Sequence, residues 1–337
     1  MGRRINIGVI GAGRIGKLHA QNLAFRVPEA RLVAIADVVL EAAEASAAAC
    51  GCSTVWQDYH AILDDRDIQA VVIGTSTDTH AAIVEDAAAA GKHIFCEKPL
   101  DLNLARIDGV LAAVKKAGVK LQVGFNRRFD SNFKRVRDLV AQGEIGTPHV
   151  VRITSRDPQP PPISYVKVSG GIFLDMTIHD FDMAHYLIAD EVDEVFAAGG
   201  VMVDPAIGAA GDIDTTVITL RYAHGAIGSI DNSRQAVYGY DQRVEVFGSK
   251  GMVAVSNKKP DSAEWSTADG IHSSLPLFFF LERYNDSYVA EMRAFVECIQ
   301  NDTTALVTGA DGRAPVVMGH AALKSYHLNR PVKLSEV

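Results

Sequence analysis

The sequence has no apolar run near the ~20 residues that a membrane-spanning helix requires. Its longest apolar stretches are only strand-length. It also has no excess of positive charge. Its 33 Lys and Arg stand against 41 Asp and Glu, a net charge of −8, whereas nucleic acids and anionic membrane surfaces reward Lys and Arg. No nucleic-acid or membrane partner is therefore expected. Cysteine is sparse, at positions 50, 52, 96 and 298. Cys50 and Cys52 are too close for a relaxed disulfide and have no second ligand pair to make a metal site. Packing thiols in a reducing, cytoplasmic compartment are expected. There is no internal repeat. The start, MGRRINIGVIGAGRIG, is charged and then apolar like a secretory leader, but the run is short and broken by glycines.

What is present is ordinary globular material, 48% hydrophobic and 22% charged over 337 residues, enough for two domains. Up to about residue 125, β-branched runs alternate with Ala-rich amphipathic runs. INIGVIG (5–11), RLVAIAD (31–37), AVVIGT (70–75), HIFCEK (93–98) and LQVGF (121–125) read as strands, with a weaker one near 54–56. Alternation at this spacing implies βαβ crossovers and a parallel sheet covered on both faces. Beyond residue 125 the pattern becomes two-residue alternation, as in RVEVF, where Val244 and Val246 face one side and Arg243 and Glu245 the other. That pattern predicts a largely antiparallel sheet with one buried face. Helices are expected at about 130–142, 176–188, 287–300 and 310–327, and DPQPPP (157–162) is an extended loop stiffened by its prolines. The fold class is α/β, with a parallel-sheet domain at 1–125. An α+β domain follows at 126–337, whose C-terminal helix can pack back on the first.

GVIGAGRIG places Gly11, Gly13 and Gly16 in G-x-G-x-x-G spacing, directly after the first strand and at the opening of the first helix. In that context the glycines admit a dinucleotide pyrophosphate against the helix N-terminus. Asp37 ends the second strand, where a carboxylate accepts hydrogen bonds from ribose hydroxyls and repels a 2′-phosphate. DVVLE supplies no compensating cation, so NAD is favoured over NADP. The cofactor-binding set is Gly11, Gly13, Arg14, Ile15, Gly16, Asp37, Thr75, Ser76, Thr77, His80, Glu97 and Lys98. Helix capping before Ala81 is the competing use of Thr75 and Thr77.

The segment GGIFLDMTIHDFDMAHYL (170–187) crowds ionisable groups among apolar ones. On one helix, Asp175 and His179, four apart, share a face, with Asp182 near the same stripe and Asp180 and His185 off it, on the capping and solvated side. Histidine can take a hydroxyl proton at neutral pH while hydride leaves to a nicotinamide. The carboxylate one turn away supports it, and Lys98, stiffened by Pro99, can favour the alkoxide-like transition state. The catalytic set is thus Lys98, Asp175 and His179. Base rates favour a trans Lys98–Pro99 bond. A metal site competes for the same residues, but no H-E-x-x-H pattern is present and the chemistry does not need a metal. No metal is expected. A non-catalytic dinucleotide-binding regulator and an FAD-binding protein are the other readings.

Four segments together, GVIGAGRIG, CEKPL, GFNRRFD and GGIFLDMTIHDFDMA, resemble the Gfo/Idh/MocA family of NAD(P)-dependent sugar and polyol oxidoreductases, and within it the branch acting on inositols. The resemblance covers nearly the whole chain. It implies a Rossmann domain followed by an α+β domain whose open sheet forms homodimers or homotetramers. It implies Lys98 as the catalytic lysine, with His179 as base and Asp175 assisting. Arg128, beside Asn126 and Arg127, together with Asp157 and Tyr238, would contact substrate. The implied reaction is NAD-dependent oxidation of one secondary hydroxyl of myo-inositol to the ketone. Scyllo-inositol, another cyclitol or an aldose are the alternative substrates.

Overall fold

The computed structural model describes residues 4–337; residues 1–3, the start of the charged amino-terminal stretch, lie outside it. The chain divides into two compact units. One runs up to Phe129 and includes Asp286–Ala314; the other comprises Asp130–Asn285 and Pro315–Val337.

The first unit alternates strand and helix: β1 (Ile5–Ile10), α1 (Arg14–Phe25), β2 (Ala30–Ala36), α2 (Leu40–Cys50), β3 (Val55–Trp56), α3 (His60–Asp64), β4 (Ala70–Ile73), α4 (Thr77–Ala89), β5 (His93–Glu97), α5 (Leu104–Ala117) and β6 (Leu121–Gly124). All pairings are parallel, in the order β3-β2-β1-β4-β5-β6. The order reverses at β1, so β1 and β4 diverge to opposite halves and leave the crevice in which such sheets take ligands. Ile7, Val9, Val72 and Phe95 from the strands pack with Ala20 and Leu23 of α1 in one core. Val289, Met292, Phe295 and Val296 complete that core, which is why the segment after residue 285 belongs to this unit.

The second unit contains α6 (Ser131–Ala141), β7 (Pro148–Arg156), α7 (Ile163–Val166), α8 (Gly171–Asp175), α9 (Ile178–Ile188), β8 (Val192–Gly200), α10 (Pro205–Ala209), β9 (Thr215–Tyr222), β10 (Ile227–Ser233), β11 (Asp241–Gly248), β12 (Gly251–Val255), a hairpin of β13 (Glu264–Thr267) and β14 (Gly270–Ser273), and α11 (Phe280–Arg283). Helix α12 (Asn285–Gln300) belongs to the first unit beyond its first residue, as do the opening turns of α13 (Gly309–Leu328). Strand β15 (Val332–Lys333) closes the chain's second sheet, of order β12-β11-β7-β10-β9-β8-β15. Only β7 and β10 pair in parallel; the other neighbours are antiparallel. Val151, Ile153, Ile218, Leu220, Ile230, Val244 and Val246 are buried, and the alternating positions Arg152, Arg221 and Arg243 are exposed. The alternation read from the sequence thus produces a sheet with one packed face. No helix among the described residues is long and apolar enough to cross a membrane.

Candidate active site

In the first unit, Gly11 has φ +100°, and a Cβ there would lie 2.7 Å from the Gly74 carbonyl oxygen. A Cβ on Gly16 would fall 1.9 Å from the Gly11 oxygen, so the loop closes on α1 only without side chains. Gly13 differs. It is the N-cap of α1, offers no side-chain cap, and a Cβ on it would meet nothing. The first turn of α1 therefore presents uncapped N–H groups beside open space, which is what a pyrophosphate needs. Arg14 and Ile15 open the helix itself.

Asp37 braces this loop as well as closing β2. One carboxylate oxygen accepts from the Ala12 N–H at 2.6 Å and the other from Val39 at 2.8 Å. Val38 and Val39, the next two residues of the chain, stand 79% and 54% exposed beside it. After β4, Ser76 is the N-cap of α4 and makes no side-chain cap bond. The Thr75 hydroxyl bonds that of Thr79 at 2.7 Å, so neither Thr75 nor Thr77, the first helical residue, supplies the cap.

Lys98 follows the end of β5, half-buried, and its bond to Pro99 is cis rather than trans. His80 holds the turn. Its Nδ1 lies 2.8 Å from the Pro99 oxygen and its Nε2 3.3 Å from that of Thr75. Both partners are acceptors, so the ring's hydrogen belongs on Nδ1, at the shorter contact. Burial pushes this imidazole below its ordinary value, against the pull of the Pro99 carbonyl and Glu97. Glu97 turns into the layer between sheet and helices, 2.6 Å from His19 Nε2. After β6, Asn126, Arg127 and Arg128 are buried in one 3-10 turn, where Arg128 donates to Asp311 at 3.0 Å. Burial raises and Arg128 lowers the Asp311 carboxyl, which settles below its usual range.

In the second unit, Asp175 and His179 do not share one helix. Asp175 ends α8, His179 lies in the first turn of α9, and Met176 and Thr177 form the junction. The Thr177 N–H reaches back to the Ile172 carbonyl and its hydroxyl donates to Asn232 at 2.6 Å, which diverts the chain from a continuous helix. Asp175 is held at both oxygens, by the Tyr165 hydroxyl at 2.8 Å and by Arg234 at 3.0 Å. Arg234 is 3% exposed and also faces Asp157 at 3.7 Å. Burial works against its charge, but Asp175 and Asp157 outweigh it and raise it further. Tyr165 is 47% exposed as a residue, yet its hydroxyl is sheltered, and burial followed by Asp175 pushes the phenol upward. Asp180 corrects an expectation. It is fully buried and accepts from Asn232 at 2.9 Å, so it belongs to the packed interior rather than to a solvated helix face. Tyr238 donates to Asp241 at 2.5 Å and accepts from Arg156 at 3.1 Å, apart from the Asp175–Arg234 network.

Comparison with known proteins gives this geometry a context. Residues 5–125 match the model described as the oxidoreductase family, NAD-binding Rossmann fold, and residues 133–254 the GFO/IDH/MocA C-terminal domain. The chain belongs to the Gfo/Idh/MocA family. Its relatives in that family include the myo-inositol 2-dehydrogenase of Thermotoga maritima, 51% identical over 99% of both chains. The inositol 2-dehydrogenase of Rhizobium meliloti is 48% identical over 98% of this chain and 99% of its own. Among solved structures, scyllo-inositol dehydrogenase from Lactobacillus casei with bound NAD(H) and scyllo-inositol has a TM-score of 0.92 at 30% identity, covering 99% of this chain and all of that one.

Within the family fold, three polar residues escaped the reading of the sequence: Arg234, Tyr165 and His19. Arg234 follows β10 in SRQAVYGY, a polar strand end that could have drawn attention. Tyr165 sits just after the proline loop, and His19 lies one turn past Gly16; nothing in their local sequence marks either of them.

Proposed function

We propose that the protein is an NAD-dependent dehydrogenase that oxidises one secondary hydroxyl of a cyclic polyol, with myo-inositol as first candidate and 2-keto-myo-inositol as product. The observation that carries this is 51% identity to a myo-inositol 2-dehydrogenase over 99% of both chains, in a sequence that has the open dinucleotide loop, Asp37, Lys98 and the braced Asp175 beside His179.

Gly11, Gly13 and Gly16 give the pyrophosphate its close approach, Asp37 receives the ribose hydroxyls, and the Thr75–Thr77 turn with the strand end at Lys98 lines the remainder. NAD supplies the hydride acceptor for the carbinol carbon. His179 takes the hydroxyl proton and Lys98 stabilises negative charge growing on the oxygen. Asp175 orients His179 and the substrate, and is itself kept in place by Arg234 and Tyr165. A polyol presents hydroxyls all round, and each buried one needs a partner. Asn126, Arg128 and Asp157 offer such partners. Tyr238 joins them if a substrate hydroxyl replaces its bond to Asp241.

The protein works as a homotetramer or homodimer through the open face of its second sheet. Support comes from Val217, Ile227 and Phe247, large apolar side chains exposed on alternating positions of that sheet. A cytoplasmic setting fits its four free thiols.

Steady-state turnover of purified enzyme with NAD and a panel of myo-inositol, scyllo-inositol, other cyclitols and aldoses tests the assignment. Myo-inositol is expected to have the highest kcat/KM. Preference for scyllo-inositol would change the substrate within the class, and no turnover of any cyclitol would reject the class.

A further inference from the structure

Behind the strand end that carries Lys98, Glu97, expected beside the cofactor, meets two side chains to which dinucleotide binding and hydride transfer give no task. His19 of α1 is fully buried, with Nε2 at 2.6 Å from Glu97 Oε1. Glu291 of α12 is also fully buried, and neither of its carboxyl oxygens has a hydrogen-bond partner. One nitrogen or oxygen from each of His19, Glu97 and Glu291 lies within 4.8 Å of the others. Glu97 packs close against β6, where only glycine leaves it room: a Cβ on its register partner Gly124 would come within 3.0 Å of its Oε2. Gln122 of β6 donates to the Glu291 carbonyl at 2.8 Å and keeps that turn of α12 against the sheet. The rings of Phe95 and Tyr288 stand edge-on to His19 at 5.1 and 5.9 Å, completing an apolar wall.

Two carboxyls facing each other in such a layer cannot both hold a charge without large cost. Glu97 has the hydrogen-bond donor, His19, and is the one at the rim; Glu291 has neither donor nor solvent. The buried Nδ1 of His19 has no acceptor, so its ring hydrogen belongs on Nε2, where it serves Glu97.

We propose that Glu291 is a positioning residue: it stays un-ionised behind β5, and together with His19 it lets a charged Glu97 hold the strand end that presents Lys98. This rests on the role given to Lys98 above. Geometry assigns the proton; in agreement, burial and then the Glu97 charge push the Glu291 carboxyl well above its ordinary value. The titratable groups gathered at Glu291 are Glu97 from β5 and His19 from α1, with Tyr288 of its own helix against the His19 ring; Gln122 from β6 is neutral.

The sign of the linkage follows. A carboxyl raised on folding favours the folded state below its unfolded value of about 4.3. That contribution is lost as pH climbs towards the folded value. Glu291→Gln, neutral at every pH and of the same shape, should therefore gain thermal midpoint over wild type from about pH 5 to about pH 8. The infrared spectrum of wild type at neutral pH should carry the carbonyl stretch of an un-ionised acid, and Glu291→Gln should lack it. Glu291→Gln should keep kcat within about threefold, because it leaves a neutral group behind Glu97, while Glu97→Gln, which removes the charge that the neutral Glu291 tolerates, should lower kcat by about tenfold. Identical spectra and identical pH slopes for wild type and Glu291→Gln would overturn the proposal, as would a stoichiometric metal ion bound by the His19–Glu97–Glu291 group. The spectra and midpoints need no substrate, so a wild type inactive on every cyclitol would count against the assigned reaction alone.

Discussion

Arg234 donates to Asp175 across 3.0 Å, although the two residues are 59 positions apart. Both sides of the pair are largely enclosed, and two more Arg234 nitrogens, Nε and Nη2, are buried with no hydrogen-bond partner. A guanidinium in that position holds Asp175 as an oriented anion rather than merely neutralising it.

Removing Arg234 takes away the guanidinium that holds one oxygen of Asp175 and leaves two carboxylates, Asp175 and Asp157, without the cation that faces both. Arg234→Met should lower kcat by about 10²-fold and cost on the order of 3 kcal/mol of stability, since breaking a buried pair strands the remaining charge. Arg234→Lys should recover only part of the rate, because a point charge cannot reproduce the planar donor set. Steady-state kinetics with denaturant titration checks both; unchanged kcat in Arg234→Met would remove Arg234 from the site.

Lys98→Ala should lower kcat by about 10²–10³-fold, the range seen when a donor to a developing oxyanion is deleted. NAD affinity, measured by titrating bound nucleotide, should change little. A loss confined to NAD affinity, with full turnover at saturation, would assign Lys98 to cofactor binding only.

The second and third glycines of the dinucleotide loop should fail in different ways. A Cβ at Gly16 strikes the Gly11 carbonyl, while one at Gly13 points into open space. Gly16→Ala should therefore unfold at lower temperature whether or not NAD is present. Gly13→Ala should keep its midpoint without nucleotide but lose NAD affinity by about tenfold or more, because the methyl occupies the phosphate's place. Calorimetry with and without NAD separates the two.

In the proposed function Asp37 would set the choice of cofactor, because a carboxylate at that strand end accepts hydrogen bonds from a ribose and repels a 2′-phosphate. Asp37→Asn should weaken NAD and narrow the NAD-to-NADP ratio of kcat/KM by about tenfold. Since Asp37 also holds the Ala12 and Val39 amides, some loss of stability should accompany the change. Wild type that used both cofactors equally would contradict this account.

Much of the architecture was legible in the chain. The strands read from β-branched runs coincide with β1, β2, β4, β5 and β6 to within two residues. The helices expected at 130–142 and 310–327 appear as Ser131–Ala141 and Gly309–Leu328. The glycine spacing placed the loop correctly because a tight turn from strand to helix is a local matter. Local pattern failed where a distant partner intervened. The periodicity of 171–188 continues smoothly, yet Asn232 takes the Thr177 hydroxyl and the helix breaks there. Asp180 looked like a surface residue by its place on a helical wheel, and the same asparagine makes it an interior one.

By itself the sequence determined where each motif falls along the chain: the glycine turn, the acidic end of β2, the Lys98 strand end though not its cis bond to Pro99, and the order of Asp175 and His179. Those depend on φ/ψ limits and on spacings of a few residues. Tertiary structure alone decided which side chains meet across long separations: Arg234 with Asp175, Glu97 with His19 and Glu291, Arg128 with Asp311. Such pairs are set by strand order and register and by which helix covers which face, and those are properties of the assembled core rather than of any segment.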